Sequence, residues 1–202
     1  MKKVLLAFLM TALPLPFLMG QNLISNPTFS NSGQDWGNFG ATGFNAFFGQ
    51  SDASLFADQP GNTGGVFQQG INGTAGNSYE FSLDSVFIES NWDADLTIKI
   101  EFYEGDDSTL ISEASSVLDV SGILGDFGVP GGSISATAPA NTTFVRPVVL
   151  FDNVQLPGLT PSSSGFLFDV SLSQIPEPST YALLLGVAGT CLVIQRRIES
   201  RR

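Results

Sequence analysis

Histidine is absent from the 202 residues. Its absence removes the commonest general base at neutral pH, the Ser-His-Asp triad and every His-ligated metal site. Cysteine is nearly absent. The single Cys191 lies near the C-terminus, so the body of the chain has no disulfide and must be held by burial and backbone ladders. Basic side chains are scarce. Between Gln21 and Ile175 only Lys99 and Arg146 face seventeen Asp and Glu, a net charge of −15. Such a surface repels nucleic-acid phosphates and excludes that class of partner. It keeps an exported protein soluble, and its carboxylates suit hard divalent cations. A long helical period is missing from Asn22 to Ile175 as well, which argues against a helical body.

What is present begins with an export signal. Lys2 and Lys3 form a charged start, and Val4 to Met19 is apolar except for Thr11. Pro14 and Pro16 each remove a helix hydrogen bond, which argues for a cleaved signal peptide over a permanent anchor. Gly20 is small, so cleavage before Gln21 is expected and residues 1–20 are assigned to the signal. Residues 21–175 then make about one domain's worth of chain, enough for a real core.

That domain reads as strands and turns. "LTIKIEFY", Leu96 to Tyr103, alternates Leu96, Ile98, Ile100 and Phe102 against polar neighbours, the period of a half-buried strand. "EFSLDSVFI" from Glu80, "TTFVRPVVLF" from Thr142 and "GFLFDVSLS" from Gly165 read likewise. Pro147 cannot donate to a ladder, so it points to an edge strand or a bulge. "QPGNTGG", "NGTAGN", "EGDDS", "GVPGGS" and "TPSSSG" read as the turns between strands. The pattern predicts an all-β, antiparallel sandwich, with most of the seventeen Phe of the chain supplying its core.

The order of the pieces carries a resemblance. "NLISNPTFSNSGQDW" opens at Asn22, then come "AGNSYEFSLDS", "LTIKIEFYEGDDSTLI", "SATAPANTTFVRPVVLF" and "GFLFDVSLS". Over about 150 residues this resembles the galactose-binding-like jelly roll, particularly the carbohydrate-binding modules of that superfamily. The resemblance implies two antiparallel sheets packed face to face, first and last strands near each other, and extracellular polysaccharide as partner. It also implies a structural Ca²⁺ near those strands, for which Asp169 is the candidate ligand. The pattern departs from the family at two places: Ser30 follows Phe29 where Glu is frequent, and Phe168 stands where a tandem Asp would begin.

Sugar binding requires flat apolar faces with polar groups beside them. Trp92, flanked by Asn91 and Asp93, offers either a ring for a sugar or a lid for one end of the sandwich. Trp36 is a second aromatic candidate; it matches the Trp after the opening strand of the family this chain resembles, which implies a packed ring. Arg146 is suited either to a sugar hydroxyl or carboxylate, or to a neighbouring acid. Catalysis has thin material. Asp93 and Asp95 share a strand face, Asp106 and Asp107 diverge on a turn, and Lys99, Arg146 and Tyr103 are the scant candidates for a lyase. The domain is therefore expected not to be an enzyme.

The tail, residues 176–202, is the most distinctive stretch. Tyr181 to Ile194 is fourteen residues without a charge. As a helix, at ~1.5 Å per residue, it falls short of a ~30 Å hydrocarbon core, and extension over about 179–195 makes a marginal transmembrane span. Arg196, Arg197, Arg201 and Arg202 follow and favour the cytoplasmic side, which agrees with export of the domain across the inner membrane. Pro176-Glu177-Pro178, the adjoining Ser-Thr-Tyr-Ala-Leu, the apolar helix and the Arg cluster resemble the PEP-CTERM sorting signal of Gram-negative bacteria. That resemblance implies an exosortase, an integral-membrane Cys protease-transpeptidase, as the processing partner, and the cell surface or extracellular matrix as destination.

Overall fold

A computed structural model describes residues 20–40, 42–47, 50–57, 63–88, 93–119, 129–155 and 163–176, together with Thr190, Ile194, Arg196 and Arg197. Asn22–Ile175 is one compact unit, and the two ends, Met1–Gln21 and Pro176–Arg202, make up the other. The unit Asn22–Ile175 is an antiparallel β-sandwich, as the alternating runs predict.

Eleven strands are described: β1 Trp36–Gly40, β2 Thr42–Phe47, β3 Gln50–Ala57, β4 Gly64–Gln68, β5 Ile71–Asn72, β6 Ser78–Ile88, β7 Asp93–Glu104, β8 Thr109–Asp119, β9 Val129–Thr137, β10 Phe144–Gln155 and β11 Ser163–Ile175. One sheet has the order β1-β4-β10-β7-β8, with β5 also paired to β10; the other has the order β2-β3-β11-β6-β9. Every pairing is antiparallel.

The period of two decides which face is buried. On β7, Leu96, Ile98 and Ile100 have no exposure and Phe102 has 1 %. On β10, Val145, Val149 and Phe151 point the same way. Phe81 and Leu83 of β6 and Val170 and Leu172 of β11 meet them from the other sheet in one apolar cluster. Tyr79 of β6 reaches Phe102 of β7 across the layers at 6.2 Å between ring centroids. Truncating a ring such as Phe81 to Ala would cost about 3–5 kcal/mol in transfer and cavity terms.

The opening residues lie beside the closing strand. Leu23 N donates to Leu172 O at 2.7 Å, and the Asn22 side chain bonds Ile24 N, Val170 O and Leu172 N. Between them and β1, the four-residue helical turn Ser30–Gly33 takes left-handed angles at Asn31 (φ 53) and Ser32 (φ 57).

Two local expectations need correction. "GVPGGS" is not a turn: Val129 to Ser133 form the start of β9, at the edge of its sheet, where Pro and Gly are tolerated. Of the two readings of Pro147 the edge strand fails, because β10 is central, while a local irregularity of the bulge kind agrees with the register. The missing N–H of Pro147 falls where the partner of β10 changes from β4 to β5 and the register slips by one residue. The ladder is already interrupted there.

Candidate functional site

The outward faces of the two sheets differ in chemistry. On β6, β9 and β11 the described outward side chains are largely hydroxyls, and they pair across strands: Ser78 with Thr137 at 2.8 Å and Ser82 with Ser171 at 2.7 Å. On β1, β4, β7 and β10 they include the rings Phe39, Phe67 and Tyr103 and the charges Lys99, Glu101, Arg146 and Asp152, interspersed with Thr97, Val148 and Leu150.

Register builds the second face. Phe39 stands opposite Gly65 and Gly37 opposite Phe67 across β1 and β4. A Cβ at Gly37 would lie 2.4 Å from Cζ of Phe67, and one at Gly65 would lie 2.5 Å from Cζ of Phe39. Each ring therefore lies over a backbone position that carries no side chain. The two centroids are 6.2 Å apart, and Phe39 remains 40 % exposed. The pair makes a partly open apolar platform on the sheet.

Arg146 flanks that platform. Its guanidinium carbon lies 5.3 Å from the Phe67 centroid and 4.1 Å from the Tyr103 centroid. Nη1 donates to Tyr103 Oη at 2.7 Å, and Nη2 donates to Asp107 O at 2.9 Å and to Asp107 Oδ1 at 3.1 Å. Glu101, opposite Arg146 in register, approaches Nη1 to 3.7 Å and accepts the Tyr103 hydroxyl at 2.7 Å. Burial, and then the hydrogen bond to Glu101, push the Tyr103 phenol up to about 12. Tyr103 is therefore a proton donor at neutral pH and unsuited to be a general base. Lys99, one row along, meets Glu113 at 3.4 Å.

The residues singled out in the sequence are thus scattered. Arg146 lies on this face, and of its two readings the structure shows the acid pairing. Trp36 is 8 % exposed, tilts against Phe29 at 4.7 Å and donates its indole N–H to Asn26 O at 2.7 Å. Its ring is packed and is no platform for a sugar. Trp92 and Asn91 lie outside the described residues. Asp106 and Asp107 part company: Asp106 accepts from Ser108, which lowers its pKa, and Asp107 turns to Arg146. Of the tail motif, Pro176 is described while Glu177 and Pro178 lie outside. Arg196 and Arg197 are exposed and helical. No helix among the described residues is long and apolar enough to cross a membrane, and most of the 179–195 segment lies outside them.

The described residues do not fit a calcium cage at Asp169. Calcium takes six to eight oxygens. Asp169 is exposed at φ 40, and Val170 N donates to Pro27 O, which places the Asn26–Gln34 loop alongside. In that loop Asn26 Nδ2 donates to the carbonyls of Ser30 and Gln34, both at 2.8 Å, and Ser30 Oγ donates to Asn26 Oδ1 at 2.8 Å. The Asn26 amide thus holds two carbonyls of the loop that lies beside Asp169. Among the described residues no group of three Cys, Asp or Glu could hold a metal.

Phe39, Phe67 and Tyr103 were not legible as one site. The strands that carry the two phenylalanines, "WGNFG" and "GGVFQ", are short and glycine-rich and show no clear period of two. The usable signal was the glycine itself: within a strand it marks a close approach of another group.

The chain has the fold of carbohydrate-binding-module β-sandwiches. It is similar to the module TmCBM61 solved in complex with β-1,4-galactotriose, with 17 % identity and a TM-score of 0.53 over 76 % of this chain and 99 % of that one. It is similar also to a family 16 carbohydrate-binding module, with 13 % identity and a TM-score of 0.51 over 75 % and 99 % of the two chains. A third likeness is to the CBM22-1–GH10 modules of Clostridium thermocellum endo-1,4-β-D-xylanase 10B complexed with xylohexaose. There identity is 15 % and the TM-score 0.53, over 79 % of this chain and 29 % of the enzyme chain. No protein-family model and no curated protein matches the chain.

Proposed function

We propose that this is an exported cell-surface or extracellular-matrix protein that binds polysaccharide through the outer face of its six-stranded sheet, without catalysing a reaction on it. The observation that carries the reading is the Phe39–Phe67 platform laid over Gly65 and Gly37 and flanked by Arg146 and Tyr103. Rings of this kind stack on the C–H faces of sugars, and polar neighbours take the hydroxyls. The fold, shared with modules solved on oligosaccharides, supports it. The polar groups of the face hold one another, which suits a rigid binding surface better than proton transfer. Trp92 and Asn91 belong to the proposal as further sugar contacts.

Delivery is the other half of the proposal. The signal peptide exports the domain. The PEP-CTERM-like tail, Pro176-Glu177-Pro178 followed by the apolar helix and Arg196 and Arg197, holds it at the inner membrane for an exosortase, which releases it to the surface or matrix. Glycan-array binding of the full chain, purified in detergent, tests the binding half. Binding to at least one polysaccharide class is expected. Silence across the array would favour a structural matrix protein that binds no sugar.

A further inference from the structure

We propose that this face selects uncharged polysaccharide and turns away chains bearing uronate or sulfate groups. The inference rests on the sugar-binding reading above. It starts from where the domain's two basic side chains lie. Lys99 and Arg146 are the only cations between Gln21 and Ile175, and both point out from the same sheet, on adjacent rows of β7 and β10. At first sight that is a basic patch for an acidic sugar.

The geometry says otherwise, because each cation is already paired with the protein's own acids. The Arg146 side chain is 15 % exposed, and Tyr103 Oη, Asp107 Oδ1 and Asp107 O already occupy its fork. Arginine recognises a carboxylate or sulfate through two parallel donors; here Nη1 and Nη2 are held by the protein's own oxygens, and Nε, which has no partner, is buried out of a ligand's reach. Lys99 meets Glu113 at 3.4 Å, and the Glu113 side chain is 42 % exposed against 21 % for Lys99, so the more accessible charge of the pair is negative. At one end of the same face, exposed Asp95 and Asp152 stand opposite each other on β7 and β10. Five described carboxylates on this face, Glu101, Asp107, Glu113, Asp95 and Asp152, outnumber the two cations, a local balance of −3. The background is a domain of net charge −15.

What the face offers a ligand is therefore apolar surface and hydrogen-bonding oxygen. A neutral sugar uses both. An anionic sugar brings a charge that no free cation answers. Two like charges ~6 Å apart in water weaken association about threefold, so a polymer meeting this balance loses on the order of tenfold. The penalty is electrostatic and fades once the Debye length shrinks to a few ångströms.

The test immobilises neutral polymers (β-1,4-galactan, arabinoxylan, galactomannan, hydroxyethylcellulose) and anionic ones (polygalacturonate, alginate, carboxymethylcellulose, dextran sulfate). Binding of the purified full chain is then measured in low and high salt. The expected result is binding to at least one neutral polymer, with every anionic polymer about tenfold weaker or worse in low salt, and a gap that narrows in high salt. Glu113→Gln, which releases Lys99, should raise affinity for the anionic polymers about threefold. Anionic polymers bound as tightly as neutral ones in low salt, or no effect of Glu113→Gln, would overturn the selectivity while leaving the sugar-binding reading intact. Binding to none of the eight would overturn that reading, and the selectivity with it.

Discussion

Replacing Arg146 by Met keeps the reach of the side chain and deletes the group on which the face is organised. Glu101 and Asp107 would then face each other across a gap with no cation between them. Their side chains are 15 % and 13 % exposed, against 15 % for Arg146. Removing one partner of a fully buried pair costs about 3–5 kcal/mol, while an exposed pair is worth about 0–1 kcal/mol. A cluster this sheltered belongs nearer the upper figure, and solvent screening brings it to about 2–3 kcal/mol. Loss of the guanidinium over the Tyr103 ring adds about 1 kcal/mol, and burial of the Met stem returns a similar amount. The expected destabilisation is about 3 kcal/mol, a fall in Tm of roughly 6–12 °C for a domain of this size. Differential scanning calorimetry of the full chain reads it. Adding Glu101→Gln and Asp107→Asn to Arg146→Met should recover much of the loss, because most of it comes from stranded carboxylates. A single variant melting within about 2 °C of wild type, or a triple variant no better than the single, would refute the hub.

Three other outcomes follow from the same structure. The Tyr103 phenol is raised when folded, so its contribution to stability is complete below its ordinary pKa near 10 and is lost as pH rises through about 12. Tm measured against alkaline pH should therefore fall less steeply in Tyr103→Phe than in wild type. Because the Asn26 amide satisfies the Ser30 and Gln34 carbonyls, chelation of calcium should leave Tm unchanged within about 1 °C; a fall of several degrees, reversed by Ca²⁺, would place an ion beside Asp169. Intact mass from the native host should lack the segment after the Pro-Glu-Pro motif, and Glu177→Ala should accumulate at full length in the membrane fraction; full-length mass in wild type would remove the sorting proposal.

The sequence exposed the fold where strands alternate apolar and polar residues, and lost it where they do not, whether short like β1 and β4 or long like β8 and β9. β7 could be read directly because Leu96, Ile98, Ile100 and Phe102 alternate with polar residues and each is buried. The opening and closing motifs were readable because their residues serve the fold: Asn22 and Leu23 bond β11, Phe29 is fully buried, and Tyr79 Oη accepts Thr74 N. β1 and β4 were missed because five residues rich in glycine carry almost no period. Their pairing with each other and with β10 is a long-range fact. The platform went unseen for the same reason. Phe39 and Phe67 are 28 positions apart in sequence, and only the register sets each ring over the other strand's glycine. The two tryptophans are the rarest aromatics of the sequence, yet Trp36 is packed into the core. Arg146 was visible as an isolated cation, but its partners on β7 and on the turn after it depend on register.

The central claim is that sugar is held on the Phe39–Phe67 platform. The direct measurement is the affinity of the double variant Phe39→Ala/Phe67→Ala for the polysaccharide bound best by the wild-type chain, taken together with its Tm. Each ring stacked on a sugar is worth about 0.5–1.5 kcal/mol, so the account predicts affinity lower by on the order of tenfold or more. Phe39 is exposed and Phe67 half-buried, so the double variant should still fold, with a Tm well above that of Phe81→Ala in the core. Wild-type affinity in a folded double variant would contradict the account and move the binding site off this face.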